Sequence, residues 1–195
     1  MLTYIIIAIT VALSIMAFRS RKLFHTLSLS PYLVAHKNQW YRTITHVFIH
    51  GSYSHLAINM LVFWSFGKNV EQIYKIIYPS SGILLFCLLY FGATIVASFY
   101  DIAKHKDNYY YSSIGASAAV MAVVFSSIYF APMSKIYLFA VVPIPAVLFG
   151  VCYLLYESYA AKKERDAINH NAHIVGAIFG LVFTFIGSFT KLLSI

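Results

Sequence analysis

A serine in a hollow of small residues and two groups of histidines are the side chains here that carry chemistry. Ser117 lies in the stretch SSIGASAAVMAVVF, where a polar loop turns into an apolar helix, among Gly115, Ala116, Ala118 and Ala119. A serine in the first turn of a helix keeps its own N–H unpaired and has the positive end of the helix dipole beneath it. Both stabilise an oxyanion formed beside the hydroxyl. Gly115 lets a backbone or a substrate come close. His173 opens the run HIVGAIFG and supplies a base. Gly176 and Gly180 share its face and form a seam that a second helix approaches closely. Gly115, Ala119, Ala122 and Ser126 form a matching seam, and docking the two brings Ser117 and His173 to one level. The result is a serine–histidine dyad without a carboxylate. His55 and Asn59 share a helix face and offer an imidazole N–H and an amide N–H as further oxyanion donors. Each feature also has a plainer reading. Gly-x-Ser at a helix start serves as a cap or packing site, the seams as ordinary small-residue packing, and the His55–Asn59 pair as a polar tie between helices.

The elements that must position these residues are membrane helices. The chain has 195 residues, 61% hydrophobic and 10% charged, against about 25% charge in a soluble domain. Its mean hydropathy is +0.76. The net charge of +8 does not point to nucleic acid, because the basic residues sit between apolar runs, where they act as membrane-flanking anchors. Six runs approach the roughly 20 apolar residues that a bilayer requires: 2–18, 55–74, 79–100, 115–130, 136–156 and 167–189. The fourth is short, which implies that one of its ends stops within the bilayer or that the loop before it dips inward. The first lacks the preceding charge and following cleavage site of a signal peptide. The stretch 19–54 is too polar to span and too aromatic for a free loop, and reads as amphipathic pieces lying in the interface. No repeat, low-complexity tract or soluble domain is visible. The expectation is an all-α, six-span bundle forming one domain over 1–195.

Missing residue types narrow the chemistry. The six acidic residues, Glu71, Asp101, Asp107, Glu157, Glu164 and Asp166, fall at helix ends or in loops. That argues against a proton-coupled transporter and against a paired-aspartate protease. There is no His-Glu-x-x-His zinc motif and no phosphate-binding loop. Cys87 and Cys152 have no metal or redox spacing and read as core packing. His46 and His50 read as ties between the interfacial segment and the bundle. A histidine metal site, in a metal transporter, is a weaker alternative without Cys or carboxylate ligands.

The combination of WYRTITHVFIHGSYSHLAINMLVFWSFGKNVE, GAS at the head of the fourth span and AHIVGAIFG in the sixth closely resembles the rhomboid intramembrane serine proteases. The resemblance runs from about residue 31 to 185. It implies Ser117 as nucleophile, His173 as general base, and His55 and Asn59 lining the oxyanion hole with the Ser117 N–H. Arg42 and Glu71 match structural positions. It further implies a water-filled cavity, a short central fourth helix, single-span membrane protein substrates, and neither metal nor cofactor. A multi-pass bacterial plasma membrane protein is expected.

Three features depart from the family pattern. Ala118 stands where glycine usually follows the nucleophile. Met121 stands where some members stack an aromatic on the histidine. Arg19, Arg21, Lys22, Lys37, Arg42, Lys104, Lys106, Lys162, Lys163 and Arg165 lie on the side of the site, against Lys68, Lys75, Lys135 and Lys191 on the other, which by charge count faces the site inward. The resemblance implies an outward-facing site, and we follow it. The fifth span, with Pro143 and Pro145, is expected to kink as a gate, and the 157–166 loop to cap the cavity. A non-catalytic rhomboid-like chaperone or adaptor binding transmembrane helices is the alternative, which Ala118 favours.

Overall fold

The computed structural model describes residues 1–138, 141–163 and 168–193. The chain is built mostly of helices: α1 (Leu2–Arg19), α2 (Arg21–Leu27), α3 (Pro31–Lys37), α4 (Arg42–Thr45), α5 (Tyr53–Ile77), α6 (Gly82–His105), α7 (Ser117–Phe130), α8 (Ala146–Lys163) and α9 (His170–Leu193). Two short antiparallel strands, β1 (Lys135–Leu138) and β2 (Val142–Pro145), pair between α7 and α8. Among the described residues, α1, α6 and α9 are long and apolar enough to cross a bilayer, and α7 is apolar but only 14 residues long. Ile5 and Ile9 on α1, Leu84 and Leu88 on α6, and Phe185 and Phe189 on α9 are all exposed. So broad an apolar exterior is unfavourable in water and suits lipid.

α7 lies at the centre and is fixed by α9. A Cβ on Gly176 would overlap the Ala118 carbonyl oxygen, and one on Gly180 that of Ala122. One turn further, Thr184 Oγ1 donates to Ser126 Oγ at 2.8 Å. The contacts advance by four residues on both helices, so α7 and α9 run parallel in a single register. The expected docking of two small-residue seams is therefore present, but the α7 row is Ala118–Ala122–Ser126, not one through Gly115 and Ala119. α5 joins through Tyr74 Oη, 3.1 Å from Thr184 Oγ1. The amino-terminal ends of α5, α7 and α9 consequently gather at the end of the bundle where Ser117 lies.

α1 packs against α5 and buries the small polar residues Thr3, Thr10 and Ser14; Thr3 bonds to α5, while Ser14 reaches the segment before it at Phe48 and His50. The free amino-terminal N–H groups of α1 meet a carboxylate. Glu71 accepts from the Leu2 and Thr3 amides at 3.0 and 2.9 Å, from Thr3 Oγ1 at 2.8 Å and from Lys75 at 2.9 Å. The negative charge faces the positive end of the helix dipole, which gives Glu71 the structural role expected of it.

The interfacial segment folds into α2, α3, α4 and a 3-10 turn at His46–Phe48. Ser20 and Ser30 cap α2 and α3 through the Leu23 and Leu33 amides, and Asn38, at φ 56°, ends α3 in the left-handed conformation. Arg42 binds the segment together, donating to the His25 and Ser28 carbonyls at 2.6 and 2.7 Å and to Gln39 Oε1 at 2.7 Å. The segment is also tied to the loop before α7, where Leu29 and Ser113 exchange two backbone hydrogen bonds of 3.0 Å.

Two expected boundaries are corrected. The run 136–156 is not one kinked helix. Its first part is the β1–β2 hairpin, with Pro143 opposite Tyr137 and Pro145 opposite Lys135. Proline lacks the N–H that a helix interior needs but is tolerated on an edge strand. The helix begins only at Ala146 and runs on through Glu157 to Lys163, so Glu157 is a helical residue and not the start of a loop. Residues 157–163 of the expected capping loop are thus the last turns of α8, and residues 164–167, which hold the rest of that loop and the first residue of the expected sixth span, lie outside the described residues.

Candidate active site

Ser117 is the first residue of α7, and no side chain caps that end. Its N–H therefore has no helical partner. Gly115, two residues earlier, has φ 106°, which residues other than glycine rarely adopt. A Cβ there would stand 2.9 Å from His55 Cε1, so this glycine lets the turn press directly on the His55 ring.

The turn itself is pinned by the interfacial segment. Gly115 donates its N–H to the His46 carbonyl at 3.0 Å, and Ala116 donates to His50 Nε2 at 3.5 Å. Ser14 Oγ, 3.0 Å from His50 Nδ1, gives its own proton to the Phe48 carbonyl at 3.0 Å. His50 must then donate from Nδ1, which leaves Nε2 to accept. His46 Nδ1 lies 2.9 Å from the Arg42 carbonyl. Burial holds both rings neutral, lowering His46 to about 4 and His50 to about 3, where the nearby His55 adds to the effect. These bonds suit the tying role expected of His46 and His50 and oppose the metal-transporter alternative, because both ring nitrogens of His50 are engaged.

His173 sits in the first turn of α9, whose start is set by Asn169. The Asn169 Oδ1 accepts from the Ala172 N–H at 3.1 Å, while Nδ2 reaches Asp101 at 2.8 and 3.0 Å and Tyr111 Oη at 3.1 Å. One amide thus caps the helix bearing His173 and ties it to α6 and the loop before α7. Burial, with the Asp101 charge second, pushes the Tyr111 phenol well above its ordinary range.

Ser117, His173, His55 and Asn59 line one cavity of about 1270 Å³. Among the described residues Ser117 Oγ and the His173 ring make no direct hydrogen bond. Asn59 donates one amide N–H to the His55 carbonyl at 3.0 Å, which leaves the other for a ligand. Ala118 packs with Ala97 and Ala172, so its extra methyl is accommodated by other alanines. Met121 also lines the cavity.

The expectation of a histidine without a carboxylate is overturned. Glu157 Oε1 lies 3.1 Å from His173 Nδ1, and Glu157 Oε2 lies 2.6 Å from His170 Nδ1. All three belong to the cavity lining. They are also the donor types of a metal site, with ligand atoms within 4.8 Å of one another. Sequence reasoning missed Glu157 because it lay one residue beyond the expected span. The available signal was a carboxylate within a short connection of two histidines.

A family model for the Rhomboid domain matches residues 37–189. The chain belongs to the Rhomboid family. It is 28% identical over 140 residues to the mouse protein named Presenilin-associated rhomboid-like protein, mitochondrial, covering 69% of this chain and 34% of that one. It is 33% identical over 95 residues to Rhomboid protease GluP of Bacillus subtilis, covering 49% and 17%. It is 27% identical over 145 residues to Rhomboid protein 1, mitochondrial, of Saccharomyces cerevisiae, covering 72% and 40%. The match thus spans well under half the length of each relative. The family and the apolar helices make this rhomboid an integral membrane protein. Relatives named as mitochondrial do not support the expected bacterial plasma membrane.

Proposed function

We propose that this rhomboid is an intramembrane serine endopeptidase of six spans that cleaves single-span membrane protein substrates with Ser117 and His173. The observation that carries the reading is the placement of Ser117 at an uncapped helix start, in one cavity with His173, on two helices locked in register. Substrate unwinds near the loop before α7 and enters from the lipid side past α8. Neutral His173 takes the Ser117 proton as the hydroxyl oxygen attacks a peptide carbonyl. The oxyanion develops against the Ser117 N–H, Asn59 and His55 at the converging amino-terminal ends of three helices, whose dipoles favour negative charge. His173 returns the proton to the leaving amine, and water resolves the acyl-enzyme.

The test is cleavage of a single-span substrate in liposomes by wild type, Ser117→Ala and His173→Ala. Cleavage by wild type alone is expected, together with fluorophosphonate labelling that Ser117→Ala abolishes. A folded wild type that neither cleaves nor labels would favour the non-catalytic chaperone reading, for which Ala118 is the supporting feature.

A further inference from the structure

Resting on that reading, we propose that Glu157 is a positioning residue whose carboxylate holds the His173 Nδ1–H and turns the dyad into a Ser117–His173–Glu157 triad, with His170 bracing the second carboxylate oxygen. Glu157 is 4% exposed, as buried as the core around it. A carboxylate withdrawn from water is costly unless both oxygens find donors, and here each oxygen has one imidazole, at 3.1 and 2.6 Å. The packing of α8 does not call for such a group. Its other buried residues are Ala146 and Gly150, both small and apolar, and a methyl-sized residue at 157 would continue that pattern.

The arrangement has a direct chemical consequence. A carboxylate accepts only, so His173 Nδ1 must carry the proton facing it. The lone pair then lies on Nε2, the ring nitrogen left to accept the Ser117 proton. When the imidazolium forms, the charge of Glu157 stands against it. Glu157 takes no proton itself: the proton passes from Ser117 Oγ to His173 Nε2 and then to the leaving amine, while the oxygen–carbon bond forms and the carbon–nitrogen bond breaks. In the serine protease template, loss of the equivalent carboxylate's charge lowers kcat about 10⁴-fold.

The experiment uses the full chain in liposomes with a single-span substrate. Wild type, Glu157→Gln and Glu157→Asp are compared for kcat, KM and melting temperature, and histidine-labelled NMR reads the His173 Nδ1–H. Glu157→Gln is expected to lower kcat about 100-fold or more at unchanged KM with the fold retained, Glu157→Asp to recover part of it, and the low-field Nδ1–H signal of wild type to vanish in the Gln variant. If the Gln variant does not fold, the Asp variant decides, through a kcat lowered at constant KM. An unchanged kcat, a loss that only tracks unfolding, or no Nδ1–H signal in wild type overturns the proposal while Ser117-dependent cleavage keeps the protease reading intact. A wild type that neither cleaves nor labels overturns both.

Discussion

The site joins the most enclosed helix of the bundle to one of the least enclosed. α7 has 14 residues, nine of them buried, from Ala118 to Ile128. α8 has 18, of which only Ala146, Gly150 and Glu157 are buried, and the outward Val151 and Leu155 are exposed. The nucleophile candidate therefore rides on a helix gripped by α5, α6 and α9. The carboxylate facing His173 rides on a helix that meets the bundle along one narrow line. On the proposed reading, the tightly packed helix is the one that meets the oxyanion and the looser wall is the one a lipid-embedded substrate passes. Small residues do different work in the two places. On α7 and α9 they bring backbones together, whereas on α8 Gly150 makes room only for side chains, the tip of Ile128 and the edge of Phe125.

Substitutions rank this contrast. Phe125→Ala, which empties a buried α7 site beside Tyr153, where the ring centroids are 6.0 Å apart, is expected to cost about 3–5 kcal/mol. Chemical or thermal unfolding in detergent measures it, and a cost near 1 kcal/mol would mean that α7 is not the enclosed element described. Acid should act at the other end of α7. His46 and His50 sit below their ordinary 6.5 at about 4 and about 3, so the unfolded chain takes up protons first as pH falls. Stability from this source is complete above pH 6.5 and declines from there toward pH 4, by about 2 kcal/mol per histidine on reaching pH 5. Melting temperatures across that range, with a shallower slope in His50→Gln, are the expected record; parallel slopes would remove His50 from the account. Gly176→Ala forces a methyl onto the Ala118 carbonyl and should cost about 1–3 kcal/mol, with cleavage falling further than stability because the shift displaces His173 from Ser117. Equal losses would separate the seam from the site. Val151→Ala, on the outward face of α8, should change stability by less than about 0.5 kcal/mol, and a larger loss in the same unfolding assay would show that α8 is gripped after all.

Much of this contrast was legible in the sequence. The short fourth run, bounded by Gly115, announced a short apolar helix, and small residues spaced by four announced close contact with the last helix. The register was not legible, because Ala118 and Ala119 are equally small and only the packed geometry decides between them. The hairpin escaped because VVPIPAV is apolar throughout, and periodicity does not separate a short apolar strand from a buried helix. Only its two prolines carried the information. Glu157 escaped for a related reason. Where a helix stops is the least marked feature of a uniformly apolar run, and moving that stop by a few residues carries the carboxylate from a solvent loop to the histidine. The His50 relay was half visible: the residue type suggested a tie, but its partner Ser14 lies 36 positions earlier, a distance no local pattern bridges.

The anchoring of α1 has a consequence for how this molecule should be divided. The family match opens at residue 37, yet Glu71 spends three of its hydrogen bonds on Leu2 and Thr3, and His50 reaches Ser14. A chain cut at that boundary would leave a carboxylate and an imidazole facing lipid where a helix had been. The segment that the family model matches is thus narrower than the segment that holds together, and α1, outside the matched stretch, is part of the foundation beneath Ser117.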